Sequence, residues 1–304
     1  MKKAINTNLD FSFEKNPDKG FLRRELGRIS LSGVQEKFSA VVENGKFRLT
    51  RDGEQGTFIL KPAPMDLTLT NRKFLPVNEF LTMQIARQCF GIRTAGTHLC
   101  RDASGQAVLA VKRFDVKTDG SKIPQEDFAS VLCRSEVGNG SNFKYNGTYA
   151  EIAGGIRKYI AAWAPAQEEF FRIVLFNYIF ANGDAHLKNF SLIREGDEYR
   201  LSPAYDLLNT ELHISGSDFA LTGGLSQELI PSDYYTASGH PCRSDFQQFG
   251  RIIGLKPVRI ERILKQFDEW PPEVATLIRE SPLTEKMQRN YLRIVRERLG
   301  RYGR

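Results

Sequence analysis

The chain has 304 residues, 41% apolar and 26% charged, enough to bury a large core and to form one large or two moderate domains. No apolar run approaches the ~20 residues that span a bilayer, and Met1-Lys2-Lys3 leads into the polar Ala4-Ile5-Asn6-Thr7-Asn8 rather than an apolar signal segment, so a cytoplasmic protein with no membrane partner is expected. The formal net charge of +7 would suit an acidic partner such as nucleic acid, but the Lys and Arg are spread widely, the pattern of a solvated surface.

Cys89, Cys100, Cys133 and Cys242 form no C-x-x-C pair, and His98, His186, His213 and His240 are isolated. Neither a zinc site, a disulfide framework nor a transition metal is indicated. There is no internal repeat and no low-complexity tract.

The first third reads as strands. Residues 28–42 alternate on both sides of Gly33, Asn44-Gly45 supplies a turn, and Phe47-Arg48-Leu49-Thr50 returns, which predicts a hairpin or meander. The Ser-rich turn at Gly33 either brings backbone N–H groups to a phosphate or is a plain β-bulge. Residues 56–62 form an apolar strand ending on Lys61. A lysine there either snorkels to solvent or reaches nucleotide phosphates, and the second role needs a carboxylate on a neighbouring helix. The segment 77–89 has helical spacing with Glu79 in its first turn, as a partner for Lys61 or as a charge favoured by the helix dipole. Strand signals resume at 97–100 and 107–115, and a lobe boundary is expected after residue 115.

Beyond it the pattern turns helical at 125–132, 150–163, 168–180, 245–253, 257–270 and 283–299. Residues 209–240, rich in Gly, Ser, Thr and Asp, read as loop and short strand. The expected fold class is α+β: a β-rich lobe over 1–115 and a larger α-helical lobe over 116–304.

The chemistry concentrates after the helix at 168–180. The loop Asn182-Gly183-Asp184-Ala185-His186-Leu187-Lys188-Asn189 leads into a hairpin, with strands at 190–193 and 198–201, and then to Pro203-Ala204-Tyr205-Asp206. Asp184 and Asn189 stand in the D-x-x-x-x-N spacing of a protein-kinase catalytic loop, where the Asp receives the hydroxyl proton and the Asn oxygen binds magnesium. Asp206 would supply a second hard oxygen ligand for Mg²⁺. A surface loop capped by Asp and Asn is the plain alternative.

Taken together these segments resemble the HipA-like serine/threonine kinases of bacterial toxin–antitoxin modules. Residues 29–37 resemble the family's Gly-rich loop, 59–62 its ATP-lysine strand and 110–115 its hinge. Pro124-Gln125-Glu126-Asp127-Phe128, residues 183–191 and Pro203-Ala204-Tyr205-Asp206 complete the series in the family's order. The resemblance implies a two-lobed protein-kinase-like fold that transfers the ATP γ-phosphate to a serine of a protein, in this family typically an aminoacyl-tRNA synthetase. It implies Asp184 as base, with Lys188 and His186 in support. Asn189 and Asp206 would hold Mg²⁺. Nucleotide contacts are implied for Ser32, Gly33, Val34, Lys61, Glu79, Lys112, Phe114, His186, Lys188, Asn189 and Asp206, and autophosphorylation for Ser30 and Ser32.

Two features depart from the longer members. Only 28 residues precede Ile29, as in short HipT-type toxins of the HipBST arrangement. There a small antitoxin protein replaces the missing N-terminal subdomain, and a helix-turn-helix repressor is the third component, so that DNA is met only indirectly. Lys112 stands where many relatives have an acidic hinge residue. Two other functions keep the fold: a pseudokinase acting as co-repressor, and a small-molecule kinase.

Overall fold

The computed structural model describes residues 8–13, 35–66 and 69–304. Ser30, Ser32, Gly33 and Val34 lie outside the described residues.

Alternating apolar residues build the first sheet. Strands β1 (Phe38–Glu43) and β2 (Lys46–Leu49) are joined by Asn44-Gly45, both at positive φ (52° and 81°), the backbone a two-residue hairpin needs to match the strand twist. With β3 (Phe58–Lys61), β4 (Thr97–Arg101) and β5 (Ala107–Lys112) they form a five-stranded antiparallel sheet in the order β2-β1-β3-β5-β4. Side chains alternate across the sheet. Phe38, Phe58, Leu60 and Ala110 pack with Leu9 and Phe13 on one face, while Leu109 and Val111 turn to the main core.

That core begins with helix α1 (Leu75–Phe90), which has a proline in its first turn and stops at Gly91, whose φ is 61°. Its buried residues surround the helix rather than form one stripe, because it is covered on both sides. Toward the helical lobe, the Phe90 ring stacks on Phe267 with centroids 4.6 Å apart and meets Phe176 and Phe180 edge-on at 5.5 and 5.4 Å. Thr82 and Tyr291 share a hydroxyl hydrogen bond of 2.6 Å, and Asn78 Nδ2 donates to the Asn209 carbonyl at 2.7 Å. The small lobe is thus seated on the large one through this helix.

The remaining α-helices among the described residues are α2 (Phe128–Val131), α3 (Glu136–Asn139), α4 (Tyr149–Tyr159), α5 (Trp163–Ile179), α6 (Asp233–Ser238), α7 (Arg243–Ile252), α8 (Pro257–Asp268), α9 (Pro272–Glu280) and α10 (Glu285–Tyr302). A second sheet, β6 (Gln125–Asp127), β7 (Ser191–Glu195) and β8 (Glu198–Leu201), lies among them in the order β6-β7-β8. None of the helices among the described residues is long and apolar enough to cross a membrane.

Several expectations require correction. The segment 125–132 is not one helix: residues 125–127 pair with β7, and Asp127 accepts from the Ser130 backbone N–H at 3.0 Å to start the short α2. The pattern at 150–163 breaks at Ile160, whose backbone is extended. Pro165 explains the restart, since a proline is tolerated only in the first turn of the helix that contains it. Residues 209–240 contain no strand, only a 3₁₀ turn at Thr210–Leu212 and α6. Helix α9, a short nine-residue helix with only Val274 and Ile278 fully buried, is an addition to the expected helices.

Phe176 is fully buried and stacks on Phe180 at 4.2 Å. Phe176→Ala should therefore cost about 3–5 kcal/mol of stability, read as a lowered urea midpoint with an unchanged slope.

Candidate active site

Helix α5 delivers the loop. Its last turn ends at Phe180, and Ala181 takes positive φ (55°), which swings the chain into the cleft. The side chain of Asn182 donates to Asn177 Oδ1 at 2.9 Å and to the Asp206 carbonyl at 3.2 Å. The Gly183 N–H donates to Thr210 Oγ1 at 3.0 Å, and a Cβ there would stand 2.8 Å from the Ser217 carbonyl oxygen, so the position accepts only glycine without displacement. Further on, the Asn189 side-chain oxygen accepts from the His186 N–H at 3.1 Å. The loop is set by backbone bonds, which leaves the Asp184 carboxylate to face the cleft.

The hairpin β7–β8 brings the second carboxylate. Past it, the Ala204 N–H donates to the Arg93 carbonyl at 2.8 Å and the Ala95 N–H to the Ala204 carbonyl at 2.9 Å. Tyr205 donates its hydroxyl to the Lys188 carbonyl at 2.9 Å. Asp206 then adopts φ 55°, an uncommon backbone for a residue other than glycine and one found at functional sites.

Around Asp206 the charges of both lobes converge. Lys61 Nζ, from the end of β3, donates to Asp206 Oδ1 at 2.5 Å and is also paired with Glu79 from α1. Lys37 Nζ lies 3.3 Å from Asp206 Oδ2, and Asn189 Nδ2 donates to the same oxygen at 3.2 Å. Burial alone would lower the Lys61 pKa, but the charges of Asp206 and Glu79 outweigh it and hold the ammonium above its ordinary value. Burial likewise pushes Asp206 up, and Lys37 and Lys61 overcome it, keeping this carboxyl well below the usual range.

Asp184 is in a different environment. Burial raises its pKa above that of an ordinary aspartate, against the hydrogen bond that Tyr145 OH donates to Oδ1 at 2.9 Å. A raised pKa in a cleft suits a group that takes up a proton. His186 is pushed down to about 3, first by burial and then by Lys144, so its ring is neutral at neutral pH and its Nδ1 has no hydrogen-bond partner among the described residues.

Two cavities meet at this cluster. One, of about 270 Å³, is lined by Ile59, Val111, Lys112, Phe114, Lys61, Lys144, His186, Lys188, Asn189 and Asp206, among others. The other, of about 280 Å³, shares Lys61, Asn189 and Asp206 and is lined by Asp184, Tyr145, Gly183 and the apolar Leu69, Leu75, Leu208 and Ile214. Lys61, Lys112, Phe114, His186, Lys188, Asn189 and Asp206 are thus brought to one cleft, and Asp184 opens on the adjoining one. Glu79, expected beside the nucleotide, lines only the second cavity and meets the first through Lys61.

Sequence reasoning did not single out Lys37, Lys144 or Tyr145. Lys37 stands just before β1, and only pairing with β3 shows that it reaches Asp206. Tyr145 lies 39 residues from Asp184, with no spacing to connect them.

The oxygens fit a hard divalent cation. Asp206 is held ionised beside Asn189, whose Oδ1 keeps a second lone pair, and Mg²⁺ takes one or two such ligands together with substrate phosphates. Among the described residues no group of three His, Cys, Asp or Glu could hold a metal by themselves.

Residues 29–274 match the family model for the HipA-like C-terminal domain. The chain belongs to this HipA-like family. A Haemophilus influenzae protein named "Putative kinase" is 26% identical over 93% of this chain and 87% of its own. The Serine/threonine-protein kinase toxin HipA of Shewanella oneidensis is 24% identical over 68% of this chain and 49% of its own, so the chain spans about half of that relative. The structure of Shewanella oneidensis HipA with HipB and operator DNA superposes with a TM-score of 0.67 at 21% identity, covering 90% of this chain and 65% of that one. The α+β, two-lobed HipA-like fold expected from the sequence is the fold observed.

In this HipA-like site, Lys61→Met should leave the Glu79 carboxylate buried without its cation and cost about 3–5 kcal/mol. Burial already raises Glu79 above the ordinary glutamate pKa. In the variant, the folded protein would hold a proton there that the unfolded chain has lost, so stability should fall as pH rises above the ordinary glutamate value, and the deficit should shrink toward acid. Urea denaturation at pH 5 and 8 of Lys61→Met and of Lys61→Met with Glu79→Leu checks this, the double variant recovering much of the loss.

Proposed function

We propose that this protein is an ATP-dependent serine/threonine-protein kinase of toxin type. The observation that carries the reading is the cluster of Lys61, Glu79, Asp206 and Asn189 at the junction of two cavities, with Asp184 opening on the second. The hinge-side cleft takes ATP, its base against Ile59, Val111 and Phe114 and its phosphates toward Lys61 and Lys188. The adjoining cavity admits the acceptor hydroxyl. Asn189 and Asp206 would hold Mg²⁺, which when bound neutralises phosphate charge.

In the transfer, the bond between the γ-phosphorus and the β,γ-bridging oxygen breaks and a bond to the serine Oγ forms. The serine proton passes to the Asp184 carboxylate, and ADP leaves. Little covalent chemistry falls to the protein, so positioning and charge neutralisation supply the rate. A pseudokinase has no use for a base and two oxygen ligands held in register, which favours the catalytic reading.

The finer features rest on the sequence resemblance: the HipT-type subclass, an aminoacyl-tRNA synthetase as the phosphorylated protein, a small antitoxin protein covering the β-rich lobe, and autophosphorylation of Ser30 and Ser32. The relative solved with HipB and operator DNA supports a repressor partner through which this chain meets DNA.

Asp184→Asn should lower transfer from radiolabelled ATP about 10²–10⁴-fold while nucleotide affinity persists, whereas Asp206→Asn should abolish Mg²⁺-dependent nucleotide binding. An Asp184→Asn protein as active as the parent would overturn the assignment. Mass spectrometry should find phosphate on Ser30 or Ser32 in the active protein and none in Asp184→Asn purified alone.

A further inference from the structure

The cations of the cleft are not equivalent. Lys37 and Lys61 are bound to Asp206, and Lys188 Nζ lies 5.8 Å from the Phe143 ring centre. Lys144 Nζ, in contrast, is buried and has no hydrogen-bond acceptor among the described residues, although it lines the same cleft as Lys61, Asn189 and Asp206. A buried ammonium with no acceptor is costly. The Tyr145 ring, 4.8 Å away, offsets only part of that cost.

The turn that carries it is held in place. Residues 143–145 form a single 3₁₀ turn, and the Thr222 N–H donates to the Tyr145 carbonyl at 2.9 Å. Each flanking residue meets the catalytic loop. Phe143 faces Lys188; Tyr145 packs edge-on against the His186 ring at 5.2 Å and donates its hydroxyl to Asp184. Lys144 is the middle residue of a turn whose neighbours are both docked on the loop. Burial lowers its pKa, Asp184 draws it back up and Lys188 depresses it again, a balance that an added anion would tip toward the charged form.

We propose that Lys144 is a catalytic residue that contacts the γ-phosphoryl group of bound ATP, with Tyr145 of the same turn as the positioning residue for Asp184. Phosphoryl oxygens supply the acceptor that the ammonium lacks, and the charge that develops on them during transfer strengthens the contact. The inference rests on the kinase reading above. It adds a cation for the γ-phosphate beyond Lys61 and Lys188, brought in from outside the motifs that mark the site in the sequence.

The test uses the full chain with Mg²⁺, ADP and the non-hydrolysable analogue AMP-PNP in titration calorimetry, together with transfer rates and thermal melting of Lys144→Met and Lys144→Arg. Lys144→Met should bind ADP within about twofold of the parent and AMP-PNP about tenfold more weakly, and should transfer about 100-fold more slowly. Its melting temperature should hold or rise, since an apolar side chain replaces a buried charge without an acceptor. Lys144→Arg should regain part of the rate. Equal weakening of ADP and AMP-PNP with a lower melting temperature would assign Lys144 a structural role and overturn the proposal, as would a Lys144→Met protein with the parent's rate and affinities. If Lys144→Met fails to fold, Lys144→Arg decides alone: a partial loss of rate with AMP-PNP weakened more than ADP supports the phosphate contact, and equal loss of both nucleotides, or a rate and affinities equal to the parent's, overturns it. A parent protein that binds neither nucleotide would instead refute the kinase reading itself.

Discussion

Two ammonium groups and two carboxylates, taken out of water at the junction of the lobes, set the terms for the rest of this structure. Lys61 and Glu79 are almost wholly buried and Asp206 nearly so, and burying any one of these charges alone would cost several kcal/mol. The cost is tolerable only when all are present in register. Since Lys61 comes from β3, Glu79 from α1 and Asp206 from the segment after β8, the cluster penalises any arrangement in which the small sheet, its helix and the helical lobe are not seated together. The same charges that specify the seating are those a nucleotide phosphate would meet. Site and interlobe contact are one object.

Helix α1 carries the mechanical side of that coupling. It is packed by the sheet on one side and by Phe176, Phe180, Phe267 and Tyr291 on the other. Asn78, one residue before Glu79, binds the Asn209 backbone through both its amide groups. Asn209 lies three residues beyond Asp206. The helix is therefore fixed next to Glu79 by the same segment that presents Asp206, and any shift of that helix is felt at the lysine.

The loop at 182–189 is organised by a different principle. Its shape comes from backbone N–H groups satisfied by Thr210, Asn182 and Asn189, and it tolerates no side chain at residue 183. Because backbone bonds carry the geometry, the Asp184 carboxylate stays available in a partly dry pocket where its pKa is raised. Asp206, a few ångströms from two ammonium groups, is pushed the opposite way. Two aspartates 22 residues apart are thus separated in chemical role by their surroundings, one able to accept a proton and the other kept charged.

The sequence by itself determined the architecture and most of the charged cluster. The period-2 strands, the Asn44-Gly45 turn, the helix after residue 75 and the helix–loop–hairpin order around Asp184, Asn189 and Asp206 are local patterns, written in spacings of a few residues. Lys61 and Glu79 were legible as a pair because a lysine at a strand end needs a carboxylate and the next helix offers one. Where local pattern misled, a long-range partner or a single residue had decided: β6 is a strand only because β7 lies beside it, and α4 stops short because Pro165 obliges the next helix to begin again. What the tertiary structure alone decided is the rest of the site: Lys37 on Asp206, Tyr145 on Asp184, Lys144 facing the cleft without an acceptor among the described residues, and Glu79 behind the lysine instead of in the hinge-side cleft. Those contacts join residues 18 to 169 positions apart, and no periodicity reaches that far, because each is set by how separately formed elements pack and not by the pattern within any one of them.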